Sequence, residues 1–143
     1  MPRESILLET QATLPLVRVL AGALRGVLDE WGVPESQRSL LELALVEAAT
    51  NVARHAYVER ELGNVALILG REAPYLYLAV RDSGHPFDPS ALPDLEEPDP
   101  EDPSTWPEGG MGIPIMRSVS EKLEYTSENG FNTLTLTVRM EET

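Results

Sequence analysis

Apolar residues come first as a short run, then at helical spacing over two long stretches, then in strand-length runs. Residues 5–13 (SILLETQAT) pass from apolar into polar, β-favouring residues and predict a strand. From Pro15 to about Gly32, Leu16, Val19, Leu20, Ala23, Leu24, Val27, Leu28 and Trp31 recur every 3–4 residues, the mark of an amphipathic helix. Pro15 suits its first turn and Gly32 its end. A second helix is predicted from about Glu35 to Tyr57, with Pro34 and Ser36 marking its start and Leu40, Leu41, Ala44, Leu45 and Ala48 as its apolar stripe. Two strands come next, near 63–71 and 75–81, joined tightly by Glu72-Ala73-Pro74. A third helix, from about Ile113 to Ser120, tolerates Pro114 in its first turn. The last pattern is a hairpin, with strands at about 122–128 and 131–139 and a turn at Glu128-Asn129-Gly130. Its apolar positions are Phe131, Leu134, Leu136 and Val138.

The order is strand, helix, helix, two strands, loop, helix, two strands, with no internal repeat. It predicts an α+β fold, a two-layer sandwich with helices on one face of a mixed, mostly antiparallel sheet. A length of 143 residues, 42% of them apolar, fits one domain with its own core. The segment 83–109 stands apart. Seven of the twelve prolines lie between Pro86 and Pro107, six acids occupy 94–102, and no Lys or Arg occurs between Arg81 and Arg117. A loop longer than about 15 residues inside a compact domain is usually a functional lid or a disordered segment.

Charge and composition narrow the function. Eleven basic residues against twenty-four acidic ones leave a formal charge of −13, which repels nucleic acid and anionic membrane. It also opposes any anionic ligand, but net charge is screened beyond about 8–10 Å at physiological salt, whereas a metal ion or a helix dipole acts at contact. No cysteine is present, so disulfides and thiolate metal sites are excluded, and two histidines are too few for a histidine-rich metal site. No run approaches the roughly 18–20 apolar residues that cross a bilayer, and the N-terminus lacks a signal-type apolar block. The expectation is a cytoplasmic protein.

Three segments carry candidate chemistry. Glu47, Asn51 and His55 lie four residues apart and share one face of the second helix, interrupting the apolar stretch LALVEAATNVARHAY. The amide oxygen of Asn51 can bind Mg²⁺, a hard cation that prefers oxygen, and Glu47 can orient or deprotonate a hydroxyl nucleophile. Taken alone, the same face also fits solvated surface, with His55 a structural hydrogen-bonder at a helix end. Arg54 can reach a phosphate or simply be exposed. Asp82 follows a strand and opens Asp82-Ser83-Gly84. Its carboxylate can accept the adenine amino proton while Gly84 admits the base, or the segment is an ordinary Asx turn. Gly109-Gly110-Met111-Gly112 opens a helix at Ile113 and can present backbone N–H groups to phosphates, unless it is only a hinge. It is not a Walker loop, since no G-x-x-x-x-G-K-[ST] occurs.

Together these segments resemble the GHKL (Bergerat-fold) ATPase superfamily and, within it, the small anti-sigma-factor serine kinases of bacteria. Glu47 to Tyr57 (EAATNVARHAY) looks like the N box, Asp82 to Pro89 (DSGHPFDP) is similar to the first glycine box, and Gly109 to Ile113 (GGMGI) matches the second. The resemblance implies one histidine-kinase-like ATPase domain over 1–143, with an ATP lid at about 90–108. It implies Glu47 as general base toward a seryl hydroxyl, Asn51 on Mg²⁺, Asp82 on adenine, and Gly84, Gly110 and Gly112 lining the nucleotide site, with Arg54, His55, Gly109 and Ile113 beside them. The substrate would be a serine of an anti-anti-sigma protein, the competing partner a sigma factor, and the working form a homodimer. One departure is the lid, which lacks the cation that family lids often bring to the terminal phosphate; Arg54 or Arg117 would have to replace it. Two other readings stay open, an ATP-binding partner-switching module without kinase activity and a structural domain with a relic pocket.

Overall fold

A computed structural model describes residues 4–86 and 112–141. Its elements, in chain order, are β1 (Glu4–Gln11), α1 (Leu14–Glu30), α2 (Glu35–Asn51) with a π-helical turn at Val52–Ala56, β2 (Asn64–Glu72), β3 (Tyr75–Asp82), α3 (Gly112–Val119), β4 (Lys122–Glu128) and β5 (Phe131–Arg139). The strands form one sheet in the order β1-β2-β3-β5-β4. Helices cover one face, as the pattern predicts.

Every strand pair is antiparallel, so the sheet is not mixed. The connections explain this. Two successive helices between β1 and β2 give the chain three reversals, so β2 returns antiparallel beside β1. A single helix between β3 and β4 leaves those two strands running the same way, but β5 lies between them and separates the one pair that would have been parallel.

The helix ends arise from local chemistry. Thr13 caps α1 by accepting a hydrogen bond from Leu16 N–H, and Pro15 sits in the first turn. At the other end Gly32 has φ +76°, a left-handed conformation that favours glycine. Gly32 N–H donates to Asp29 C=O and Val33 N–H to Leu28 C=O, a Schellman closure that buries Val33. Arg38 then ties the two helices, its Nη1 donating to Asp29 Oδ1 at 2.8 Å and to Val33 C=O at 3.0 Å. Pro34 rather than Ser36 occupies the cap of α2, and it makes no side-chain cap bond.

The buried stripe of α1 is Val17, Leu20, Ala21, Leu24 and Leu28, and that of α2 is Gln37, Leu41, Ala44, Leu45, Ala48 and Ala49. Val19 and Leu40, expected on those stripes, are exposed, because the true stripes are rotated by about a residue. Against them pack Val65, Leu67 and Leu69 of β2, Leu76, Leu78 and Val80 of β3, and Leu136 and Val138 of β5. Phe131 lies on the opposite sheet face, 47% exposed and stacked under Arg81 at 4.8 Å. Its odd position in β5 puts it there, since strand residues alternate faces. Asn132 takes the core-facing place instead.

Gln37 is buried and joins α2 to the end of β5. Its Nε2 donates to Arg139 C=O at 2.9 Å, and its Oε1 accepts from Glu141 N–H at 3.0 Å. Gln37→Ala strands both backbone partners and is expected to lower the free energy of unfolding by about 1–3 kcal/mol. Urea unfolding checks this, with the midpoint falling and the m-value constant.

Candidate functional site

The C-terminal half of α2 is anchored by small buried side chains. Ala44, Ala48 and Ala49 let the helix lie close to its neighbours, and it packs on α1, α3 and β3. Glu47 and Asn51, one turn apart, emerge half-buried from this stretch. Among the described residues neither has a hydrogen-bond or ion-pair partner, so their oxygens are uncommitted.

After Asn51 the helix widens into the π turn. Single π turns inside α-helices are frequent at functional sites, where the extra residue re-aims the side chains beyond it. Here Val52 and Ala56 are buried, while Arg54 and His55 are exposed and unpartnered among the described residues. The expected helix-end histidine bond is made by another residue. His85 N–H donates to Ala56 C=O at 2.7 Å, and its ring Nε2 meets Val58 C=O at 2.8 Å. One histidine, arriving from the turn after β3, thus satisfies two carbonyls that the helix end leaves open.

That turn is docked at further points. Tyr57 Oη donates to Asn64 C=O at 2.6 Å and accepts from Ser83 N–H at 3.0 Å. Gly84 is buried against the helix end, where a Cβ would stand 2.1 Å from the Ala56 carbonyl oxygen and 2.8 Å from its Cβ. The glycine is therefore needed to admit helix backbone, not only to leave room for a base.

Asp82 is both an Asx turn and a presented carboxylate. Its Oδ1 accepts from Gly84 N–H and from Asn132 Nδ2–H, each at 2.9 Å. Its Oδ2 has no partner among the described residues. One oxygen closes the turn and the other is left to act.

The structure thus joins two of the three predicted segments. The strand-end turn of Asp82 and Gly84 is bolted to the end of the helix that carries Glu47 and Asn51. The third is only partly described: Gly112 and Ile113 open α3, which packs on α2, whereas Gly109, Gly110 and the segment 90–108 lie outside the described residues. Sequence reasoning assigns no role to Tyr57, Ser127 or Asn132, which hold the turn in place. Tyr57 closes the EAATNVARHAY motif. Asn132 is visible by parity, being in phase with Leu134, Leu136 and Val138. Ser127 carries no signal.

No group of three or more His, Cys, Asp or Glu side chains forms a metal cage among the described residues. The half-buried amide of Asn51, unpartnered among the described residues, fits Mg²⁺ instead, since that ion usually takes one or two protein oxygens and completes its shell with phosphate and water.

Comparison with known proteins bears on the family and the fold. The family model of the histidine kinase-like ATPase domain matches residues 10–138. A serine-protein kinase RsbW of Bacillus cereus is 26% identical over 137 residues, covering 92% of this chain and 82% of that protein. The RsbW of Bacillus mycoides is also 26% identical, over 133 residues, with the same coverage. Among solved structures, the RsbU and RsbW domains of Rv1364c from Mycobacterium tuberculosis superpose with a TM-score of 0.70 at 18% identity, covering 99% of this chain. This chain spans about a third (34%) of that one. The histidine kinase domain of the blue-light activated histidine kinase EL346 from Erythrobacter litoralis gives a TM-score of 0.56 at 16% identity, covering 89% of this chain and 60% of that one. These structural likenesses speak for the fold, and the family model speaks for descent: the chain belongs to the histidine kinase-like ATPase domain family.

Proposed function

We propose that this protein is an ATP-dependent protein-serine kinase that acts as an anti-sigma regulatory factor, phosphorylating an anti-anti-sigma protein and sequestering a sigma factor. The observation that carries the reading is the docked junction. His85, Tyr57 and Gly84 lock the Asp82 turn onto the end of the helix bearing Glu47 and Asn51. The relatives named serine-protein kinase support the reaction type.

In this reading Asp82 Oδ2 accepts a proton from the adenine amino group. Asn51 Oδ1 would hold Mg²⁺, which would supply neutralisation of the phosphate charge. Backbone N–H groups of the Gly109–Gly112 segment receive the phosphates, favoured by the start of α3. Glu47 takes the proton of the incoming seryl hydroxyl as its oxygen bonds to the γ-phosphorus. The bond from that phosphorus to the β–γ bridging oxygen breaks, and ADP leaves with the electron pair. Arg54 and Arg117, both exposed, are the cations available to the terminal phosphate in place of the lid. A charge of −13 favours protein partners with basic surfaces over nucleic acid. None of the described helices is long and apolar enough to cross a membrane. A cytoplasmic homodimer, with residues 1–143 as one domain, completes the proposal.

The absence of Lys and Arg between Arg81 and Arg117 favours a second reading, an ATP-binding module that switches partners without transferring phosphate. One experiment separates the two. Mg-ATP at 100 times Kd is expected to add about 2.7 kcal/mol to stability, and labelled γ-phosphate is expected to appear on a serine of the anti-anti-sigma partner. Binding without transfer supports the module, and no stabilisation overturns both readings. Asp82→Asn is expected to weaken ATP binding about 10–100-fold, the worth of a hydrogen bond to a charged group. Equal affinity of the unaltered protein for ATP and GTP would remove Asp82 from base recognition.

A further inference from the structure

Apart from Gln37, Asn132 is the one strongly buried polar residue among those described, 4% exposed on the helix-facing side of β5. Gln37 serves the far end of the strand. Asn132 sits directly opposite Asp82 on β3 and directly opposite Ser127 on β4. The three side chains form a polar row across three strands, at the end of the sheet where the chain turns into Ser83 and Gly84. Every bond in the row is made. Asn132 Nδ2 donates to Asp82 Oδ1 at 2.9 Å and to Gly84 C=O at 3.0 Å, and Ser127 Oγ donates to Asn132 Oδ1 at 2.8 Å.

The donor pattern fixes the amide. Its nitrogen faces two acceptors, so the oxygen must face Ser127, and a flipped amide would set oxygen against carboxylate and carbonyl. The fixed amide in turn fixes Asp82. Oδ1 is occupied from two directions, by Asn132 and by Gly84 N–H, so rotation of the carboxylate breaks two bonds at once. Oδ2 is the oxygen without a partner among the described residues.

Resting on the nucleotide reading above, we infer that Asn132, held by Ser127, is a positioning residue that sets base specificity by presenting a single acceptor oxygen of Asp82 to the purine. Adenine offers an exocyclic amino donor where guanine offers a carbonyl acceptor. A carboxylate locked with one free acceptor rewards the first and repels the second. A carboxylate free to turn could shift or recruit water and would discriminate less. Sites built around one buried hydrogen bond discriminate strongly because the wrong ligand leaves that group unpaired.

The test measures Kd for ADP and GDP in the unaltered protein, Ser127→Ala and Asn132→Leu. In parallel, NMR follows the Asp82 side-chain carboxyl ¹³C signal of the same ligand-free proteins. The ratio of GDP to ADP dissociation constants is expected to fall about two- to tenfold in Ser127→Ala, which removes one neutral hydrogen bond, and tenfold or more in Asn132→Leu. The Asp82 signal is expected to move in both. A purely structural role would weaken both nucleotides together, leaving the ratio constant, and would overturn the inference. If Asn132→Leu does not fold, an unchanged ratio in Ser127→Ala overturns it equally. If the unaltered protein binds neither nucleotide, the nucleotide reading fails on its own; an unmoved Asp82 signal then separately refutes the positioning role.

Discussion

Replacing Glu47 by alanine is expected to slow phosphate transfer about 10²–10⁴-fold while leaving ATP affinity within a fewfold, the usual worth of a positioned general base. The structure makes this separation sharp. Glu47 stands one turn before Asn51 on a helix whose neighbouring small residues, Ala44, Ala48 and Ala49, are buried, so its backbone position does not depend on its own side chain. Among the described residues the carboxylate has no partner, so its removal strands nothing. Alanine has the higher helix propensity, and stability should hold or rise slightly. Single-turnover transfer and nucleotide affinity, measured separately, show whether only the transition state has lost an interaction. Glu47→Gln should match alanine, since an amide keeps the shape but cannot take the proton. Transfer at the native rate in both variants would take Glu47 out of the mechanism and leave the partner-switching module as the better reading.

The hydrophobic pattern locates the described helices and strands to within a few residues, because each element has one apolar face and a distinct end signal. Gly32 ends α1 by its left-handed backbone, and Asn129-Gly130, both at positive φ, close the last hairpin. The features that the pattern misses have a common physical cause. The π turn at Val52–Ala56 keeps Val52 and Ala56 buried, so apolar spacing does not register the extra residue. Tyr57, His85 and Asn132 act through hydrogen bonds to residues far away in sequence, and those partners depend on strand register. His55 and His85 illustrate the limit. The first lies in the conspicuous motif and is exposed, whereas the second, in an irregular turn, makes both helix-end bonds. For the candidate site, residue types in series suggest its members, but only the fold supplies the joint between Asp82 and the helix.

That joint is most directly tested at Gly84, where Gly84→Ala is expected to cost about 3 kcal/mol or more of stability and to weaken nucleotide binding more than about a hundredfold. The penalty is steric. The added methyl would lie 2.1 Å from the Ala56 carbonyl oxygen and 2.6 Å from its carbon, and both atoms are backbone that cannot swing aside. The turn must lift off the helix end. Lifting stretches the bond from His85 N–H to Ala56 C=O, separates Ser83 from Tyr57, and tilts Asp82 away from Asn132. Gly26→Ala serves as the control, because nothing lies within 4 Å of its added methyl. Inside α1 that change should stabilise by about 0.5–1 kcal/mol. Opposite signs from one chemical change, read by urea unfolding, would show that Gly84 matters through contact rather than chain entropy. A Gly84→Ala protein that unfolds at the native midpoint and binds ATP normally would mean that the Asp82 turn does not need the helix end. Glu47, Asn51 and Asp82 would then have no reason to act as one site.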